Sequence, residues 1–269
     1  MEVSLIITTR NEEANLENCL VSITNQTFSR GNIEIIVVDN NSRDRTKEIA
    51  RRYTTKVYNY GPERSAQRNH GVSRAQGTYV LYLDADMILS EPLVEECVQL
   101  CARSGCVALF VPEKIRGKGF WAKARDFERS FYDATCIDCV RFVRRDIFLS
   151  SGGFDETLTG PEDWDFDRRI RALGSVGIVQ APLYHNEGAF NLKSYLNKKK
   201  YYAAHFDKYM QKWGRNDRTI KKQLGFFYRY VGIFFENGKW RKLVRHPGLA
   251  GGMYFLRILV GVTFLSRKR

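Results

Sequence analysis

Two carboxylates one residue apart, Asp84 and Asp86, end the apolar run 79–83. Charges this close repel unless something positive lies between them. A divalent cation fills that need, since it takes hard oxygen ligands and keeps further positions for substrate phosphates. Asp and Asn after strands often only cap a helix or shape a turn, and that suffices for Asp44 and Asn41. It does not suffice for Asp84 and Asp86, because the next residues, Met87, Ile88 and Leu89, are apolar again. Two other apolar runs end in polar clusters: Thr8, Thr9, Arg10, Asn11 and Glu12 after the first, and Asp39, Asn40, Asn41 and Ser42 after the second. A fourth cluster, Glu162, Asp163, Asp165 and Asp167, opens a helical pattern that closes on Arg168, Arg169 and Arg171. Acid first and base last complement a helix dipole, and Pro161 suits a first turn. One carboxylate would do for capping, however, and this stretch has four.

These clusters need elements to hold them. Strands are expected over 3–9, 33–39, 55–60, 78–86 and 106–112, with helices over 13–27, 44–52 and 63–75. Continuous apolar strands alternating with helices imply an α/β fold, Rossmann-like, with a mostly parallel sheet covered on both faces. Ligands bind such sheets at the carboxyl ends of the strands. The first, second and fourth strands therefore deliver their polar clusters to one edge.

Taken together these stretches resemble a known family. "VSLIITTRNEEANLENCLVSITNQTF", "IEIIVVDNNSRDRT", "GPERSAQRNHG", the Asp84-Ala85-Asp86 triplet and "GGFDETLTGPEDWDFDRRIRALG" are similar, in order and spacing over residues 3–188, to inverting family 2 glycosyltransferases of the GT-A fold. The family often has Pro-Thr-Tyr where this chain has Thr8-Thr9-Arg10. The resemblance implies a nucleoside-diphosphate sugar donor, with Thr9, Arg10, Glu12 and Asp39 near the nucleoside and Arg68 at the diphosphate, where Arg offers bidentate donors. It implies Mg²⁺ or Mn²⁺ on Asp84 and Asp86, with Asp84 also toward the donor and His185, placed after the last strand of the body, as a further ligand. Asp163 would be the general base, with Glu162 and Trp164 at the acceptor.

Charge separates the chain into two parts. Residues 190–269 carry 19 Lys and Arg against 3 Asp and Glu, whereas residues 1–189 carry 24 against 27. The expected division is a GT-A domain over 1–190 and a basic amphipathic helical tail over 191–269. Helices are expected over 192–213 and 219–235. The last apolar stretch, 249–265, has Arg257 near its middle, which is costly inside a bilayer. The tail is therefore expected to lie in the interface of an anionic membrane, its Lys and Arg at lipid phosphates. A shallow insertion and an ordinary helical subdomain are the alternatives. No recognition motif accompanies the charge, so nucleic acid is not an expected partner. The first residues, "MEVSLIITTRNEE", have no basic n-region, and no signal peptide is expected. The six cysteines are scattered in apolar surroundings, as reduced buried thiols are.

The expected function is sugar transfer to a hydroxyl of a lipid-linked saccharide or glycolipid, at the cytoplasmic face of the cell membrane. A polyprenyl-phosphate acceptor is the alternative within the same chemistry. A non-catalytic nucleotide- or lipid-binding module is the alternative outside it, and retention of Asp39, Asp84, Asp86 and Asp163 together argues against that.

Overall fold

In the computed structural model, residues 1–203 and 205–265 are described. The remaining part of the expected tail, Ala204 and 266–269, lies outside them. In chain order the first elements are β1 (Val3–Thr9), α1 (Leu16–Thr24), β2 (Ile33–Asp39), α2 (Thr46–Arg51), β3 (Val57–Asn59), α3 (Arg64–Arg74) and β4 (Tyr79–Asp84). Next come β5 (Met87–Leu89), α4 (Leu93–Ser104), β6 (Ala108–Phe110), β7 (Glu113–Lys118), α5 (Gly119–Arg129), β8 (Phe142–Arg144), α6 (Arg145–Ser150) and α7 (Glu162–Leu173). The rest are β9 (Val176–Ile178), β10 (Leu183–Ala189), α8 (Leu192–Ala203), α9 (Phe206–Trp213), α10 (Arg218–Leu224), α11 (Ile233–Phe235), α12 (Trp240–Arg245) and α13 (Pro247–Leu265).

The chain forms two compact units. Unit 1 is Met1–Glu113, Cys139–Thr157 and Glu162–Asn186; unit 2 is Lys114–Asp138, Leu158–Pro161 and the chain from Glu187 on.

Unit 1 is built on a seven-stranded sheet of order β3-β2-β1-β4-β8-β6-β9. β3, β2, β1 and β4 run parallel, as the sequence implied. β8 runs antiparallel to both β4 and β6, which the sequence did not show. Side chains alternate faces with a period of two. Leu5 and Ile7 of β1 join Leu81 and Leu83 of β4 in one core with α1, α2 and α4. Ile6, Val80 and Tyr82 point the other way, into a core with Val72, Phe148, Phe166 and Ile170. Helix α3 lies close on β1: a Cβ at Gly71 would collide with Ile6. That close approach carries Arg68, one turn earlier, to full burial.

Unit 2 is helical. α13 packs along α5, and Arg257 of α13 is buried there, 2.7 Å from Glu128 and 2.6 Å from the Tyr132 hydroxyl. The charge in the middle of the last apolar stretch is thus satisfied within the protein. Two expected helices are each broken: 192–213 forms α8 and α9, and 219–235 forms α10, a π-helical turn at Tyr228–Gly232 and α11. Asp217 caps α10 by accepting from the N–H groups of Thr219 and Ile220 at 2.9 and 3.0 Å. Among the described residues, no helix is long and apolar enough to cross a membrane.

The register of β1 on β2 is held at their amino-terminal ends by Glu34, which is buried. Its carboxylate accepts from the Ser4 hydroxyl, the Lys56 ammonium and, at 2.9 Å, the Gln76 N–H. Burial opposes the charge, but Lys56 and these donors outweigh it and hold the carboxyl below its ordinary value. Glu34→Gln is expected to cost about 1–3 kcal/mol at neutral pH, the worth of a buried polar group left short of its partner. A carboxyl lowered in the folded state stabilises above its unfolded value, near 4.3, and that contribution is lost as pH falls through the folded value. Urea titrations of both proteins at about pH 7 and about pH 3 should show the difference close at the acid end; a gap that is the same at both would show Glu34 to be uncharged in the fold.

Candidate active site

The polar ends of β1, β2 and β4 lie side by side because the three strands are paired in register: Thr8 opposite Asp84, and Thr9 opposite Asp39. Helix α3 closes this edge. Gln67 donates to the carbonyls of Thr9 and Val38 at 3.0 and 2.7 Å, filling the gap between β1 and β2. Asp39 is fully buried and already accepts from the Thr9 hydroxyl at 2.9 Å and the Ser42 N–H at 2.8 Å, and from the Ser42 hydroxyl. Glu12 accepts from Asn15 at 3.0 Å, while Arg10 is exposed.

Arg68 is the hub. Its guanidinium reaches Asp84 at 3.1 Å and Asp163 at 2.9 Å and packs against the rings of Tyr82 and Phe154 at 4.8 and 4.9 Å. Arg64, one turn before it, reaches Asp84 at 3.1 Å and Glu162 at 3.4 Å. Burial works against the charge on Asp84, yet Arg64, Arg68 and Arg141 hold its carboxyl well below the usual carboxylate range. Arg64 and Arg141 were not read from the sequence. The spacing of Arg64 four residues before Arg68, on one helix face, was the available signal; Arg141 had none.

Helix α7 sorts its acids by face. Asp165 pairs with Arg169 at 2.8 Å and Asp167 with Arg171 at 2.7 Å, each four residues on. These are ordinary helix pairs. Glu162 and Asp163 instead face the arginines of α3. Glu162 is buried, and burial, then the neighbouring Asp163 carboxylate, push its carboxyl up to about 7. Its Oε2 is buried without a hydrogen-bond partner. Trp164 is half-buried on the same helix.

His185 lies within β10 rather than after the last strand, opposite Met87 of β5. Strand pairing brings its Nε2 to 3.2 Å from Asp86 Oδ1. Both atoms are buried and neither has a hydrogen-bond partner. Asp84, Asp86 and His185 each offer a ligand atom, all within 4.8 Å of one another. Two orphaned acceptor-type atoms and a second carboxylate are a donor set that fits a divalent cation. Asn186, also unread, fixes this corner: its N–H donates to the Asp86 carbonyl at 2.8 Å and its side chain to Asn15 at 3.1 Å.

Comparison with known proteins bears on this arrangement. The family model described as glycosyl transferase family 2 matches residues 4–153, more than half of the chain. The chain belongs to glycosyl transferase family 2. Among its relatives in that family, the glycosyltransferase AglE of Haloferax volcanii is 36% identical over 110 residues, 38% of this chain and 36% of the relative. The PGL/p-HBAD biosynthesis glycosyltransferase of Mycobacterium bovis is 31% identical over 210 residues, 70% of this chain and 76% of the relative. The beta-monoglucosyldiacylglycerol synthase of a Nostoc species is 25% identical over 252 residues, 83% of this chain and 52% of the relative. The chain thus spans about a third, three quarters and half of their respective lengths. Two solved structures share the fold. The mannosyltransferase PcManGT of Pyrobaculum calidifontis, in complex with GDP-Man and Mn²⁺, has a TM-score of 0.66 at 20% identity, covering 100% of this chain and 88% of that one. Staphylococcus aureus TarS has a TM-score of 0.61 at 16% identity, covering 98% and 54%. The mostly parallel sheet of unit 1 is that of GT-A family members.

Mn²⁺ at about 100 times its Kd should raise folding stability by about 2.7 kcal/mol, read as a shift of the thermal midpoint. The double variant Asp86→Ala/His185→Ala should lose the shift. An equal shift in both proteins would place the cation elsewhere.

Proposed function

We propose that this chain transfers a sugar from a nucleoside diphosphate to a hydroxyl of a lipid-linked saccharide or glycolipid, with inversion at the anomeric carbon. The observation that carries the reading is the buried Arg68, which gathers Asp84 and Asp163 at the strand edge of a family 2 chain. The acceptor oxygen attacks the anomeric carbon, Asp163 takes its proton, and the bond to the diphosphate oxygen breaks with its electron pair leaving on the nucleoside diphosphate. Attack from the face opposite the leaving group inverts the configuration. Asp84, Asp86 and His185 would hold Mg²⁺ or Mn²⁺, which when bound takes up charge on the diphosphate. Arg64 and Arg68 keep Asp84 ionised and oriented.

Support for a lipid-borne acceptor comes from unit 2 and from names. Phe226 and Phe227 are each 73% exposed on a segment rich in Lys and Arg, a surface suited to an anionic bilayer at the cytoplasmic face. The Nostoc relative is a synthase of a glucosylated diacylglycerol by its name. Two structural neighbours are complexes, with GDP-Man and with UDP-GlcNAc, and a nucleotide-sugar donor for this chain is inferred on that pattern.

A second reading rests on one observation: Asp163 is engaged by Arg68, whereas Glu162 Oε2 is unpartnered. In this reading Glu162 is the base. The two separate by kinetics. Asp163→Asn should lower kcat by about 10²–10⁴ with little change in donor affinity. If Glu162 is the base, Glu162→Gln does so instead, and the wild-type activity falls on the acid side of about pH 7, where that carboxyl becomes protonated. Donor binding without transfer to any lipid acceptor would reduce the chain to a binding module.

For the membrane, the full chain should float with phosphatidylglycerol vesicles at low salt, and Phe226→Ser/Phe227→Ser should shift it to the bottom fraction. Wild-type protein that stays at the bottom would remove the bilayer from this account.

A further inference from the structure

Unit 2 gathers several cations around Glu128. Arg125 of α5, Lys199 of α8, Arg229 of the π-helical turn and Arg257 of α13 lie within electrostatic reach of Glu128 or of one another. Arg257 takes Glu128, at 2.7 Å, and the Tyr132 hydroxyl also donates to that carboxylate. Arg125 takes Glu187. Lys199 is half-buried, and its ammonium lies 5.5 Å from the centre of the Tyr195 ring, with no carboxylate in ion-pair range among the described residues. Arg125 lies over the same ring, 4.8 Å from its centre. Burial, then the charge of Arg125, pushes the Lys199 ammonium down to about 8, against the pull of Glu128. Arg229 and Lys198 add to the push. The Tyr195 ring and the distant Glu128 only partly offset the cost of holding this half-buried ammonium beside Arg125.

We propose that unit 2 binds a phosphate group at Lys199, with Arg125, over the same Tyr195 ring, as the neighbouring cation. A phosphate monoester or diester supplies the missing negative charge, and its several oxygens accept from ammonium and guanidinium together. Tyr195 gives the site an aromatic floor shared by Lys199 and Arg125. The bearer of the phosphate, an acceptor lipid or a bilayer headgroup, rests on the lipid-linked reading above; the phosphate site itself does not.

Amine labelling read by mass spectrometry tests this at the residue concerned. Near pH 8 the lowered Lys199 ammonium should label ahead of the exposed lysines of the full chain. With EDTA present to silence the strand-edge site, inorganic pyrophosphate at about ten times its Kd should slow Lys199 labelling roughly tenfold, as one-site occupancy requires. Sodium chloride of matched ionic strength should not. Phosphatidylcholine vesicles carrying polyprenyl phosphate, and others carrying phosphatidic acid, form the second and third arms. Protection by the first alone identifies an acceptor site, protection by both a headgroup site, and protection by pyrophosphate only a site for soluble phosphate. No protection in any arm, or equal protection by chloride, overturns the proposal. As a check that labels nothing, Lys199→Gln should abolish the calorimetric heat of pyrophosphate binding in EDTA; unchanged heat would also overturn it. Neither readout needs a donor sugar, so protection of Lys199 in a chain that transfers nothing would count against the transfer reading alone.

Discussion

A buried guanidinium is the constraint on which unit 1 depends. Arg68 cannot lose its proton, so the fold must bring carboxylates to it. Asp84 comes from the end of β4, the next element after α3, and Asp163 from the first turn of α7, 95 residues from Arg68. Removing one partner of such a buried pair typically costs about 3–5 kcal/mol, because the charge left behind is uncompensated. The rings of Tyr82 and Phe154 fill the space around the guanidinium and keep water from substituting for the acids. Even the small residue at Gly71 belongs to this arrangement, since it lets α3 approach β1 closely enough to sink Arg68. The machinery of the strand edge is therefore part of the core rather than an addition to its surface.

The same ion pairing divides labour among the acids of α7. Asp165 and Asp167 are neutralised within their own helix and stabilise it. Glu162 and Asp163 are neutralised from another helix, and incompletely, which leaves Glu162 able to hold a proton near neutrality. Two adjacent carboxyls with different surroundings are how a site obtains groups of different basicity.

The sequence showed much of this, and the reasons are physical. Strands β1, β2 and β4 are apolar on both faces, a pattern that solvent-facing segments do not have. Asp84 and Asp86 stood out because charge at the tip of such a strand is expensive. The cross-strand partners were less legible. His185 meets Asp86 only through the pairing of β5 with β10, nearly a hundred residues apart in sequence, and no local pattern encodes that. Arg141 meets the site because β8 runs antiparallel beside β4, and a three-residue strand carries too little periodicity to announce its direction. The grouping of 114–138 with the C-terminal helices rests on contacts such as Arg257 with Glu128, where a charge that read as a membrane cost turned out to be an internal pair.

The position of β8 has a consequence for biosynthesis. β6 and its outer neighbour β9 are joined to the other strands only through β8, yet β6 emerges from the ribosome first. The nascent chain must pass through the whole insert containing α5 before β8 is available, on the order of seconds at ordinary elongation rates of about 5–20 residues per second. During that interval the free edge of β4 and the apolar residues Leu109 and Phe110, fully covered in the finished protein, have no partner. This is the window in which the emerging chain is open to chaperone capture, and in which synonymous codons that slow translation over the insert would prolong exposure of an unpaired strand edge.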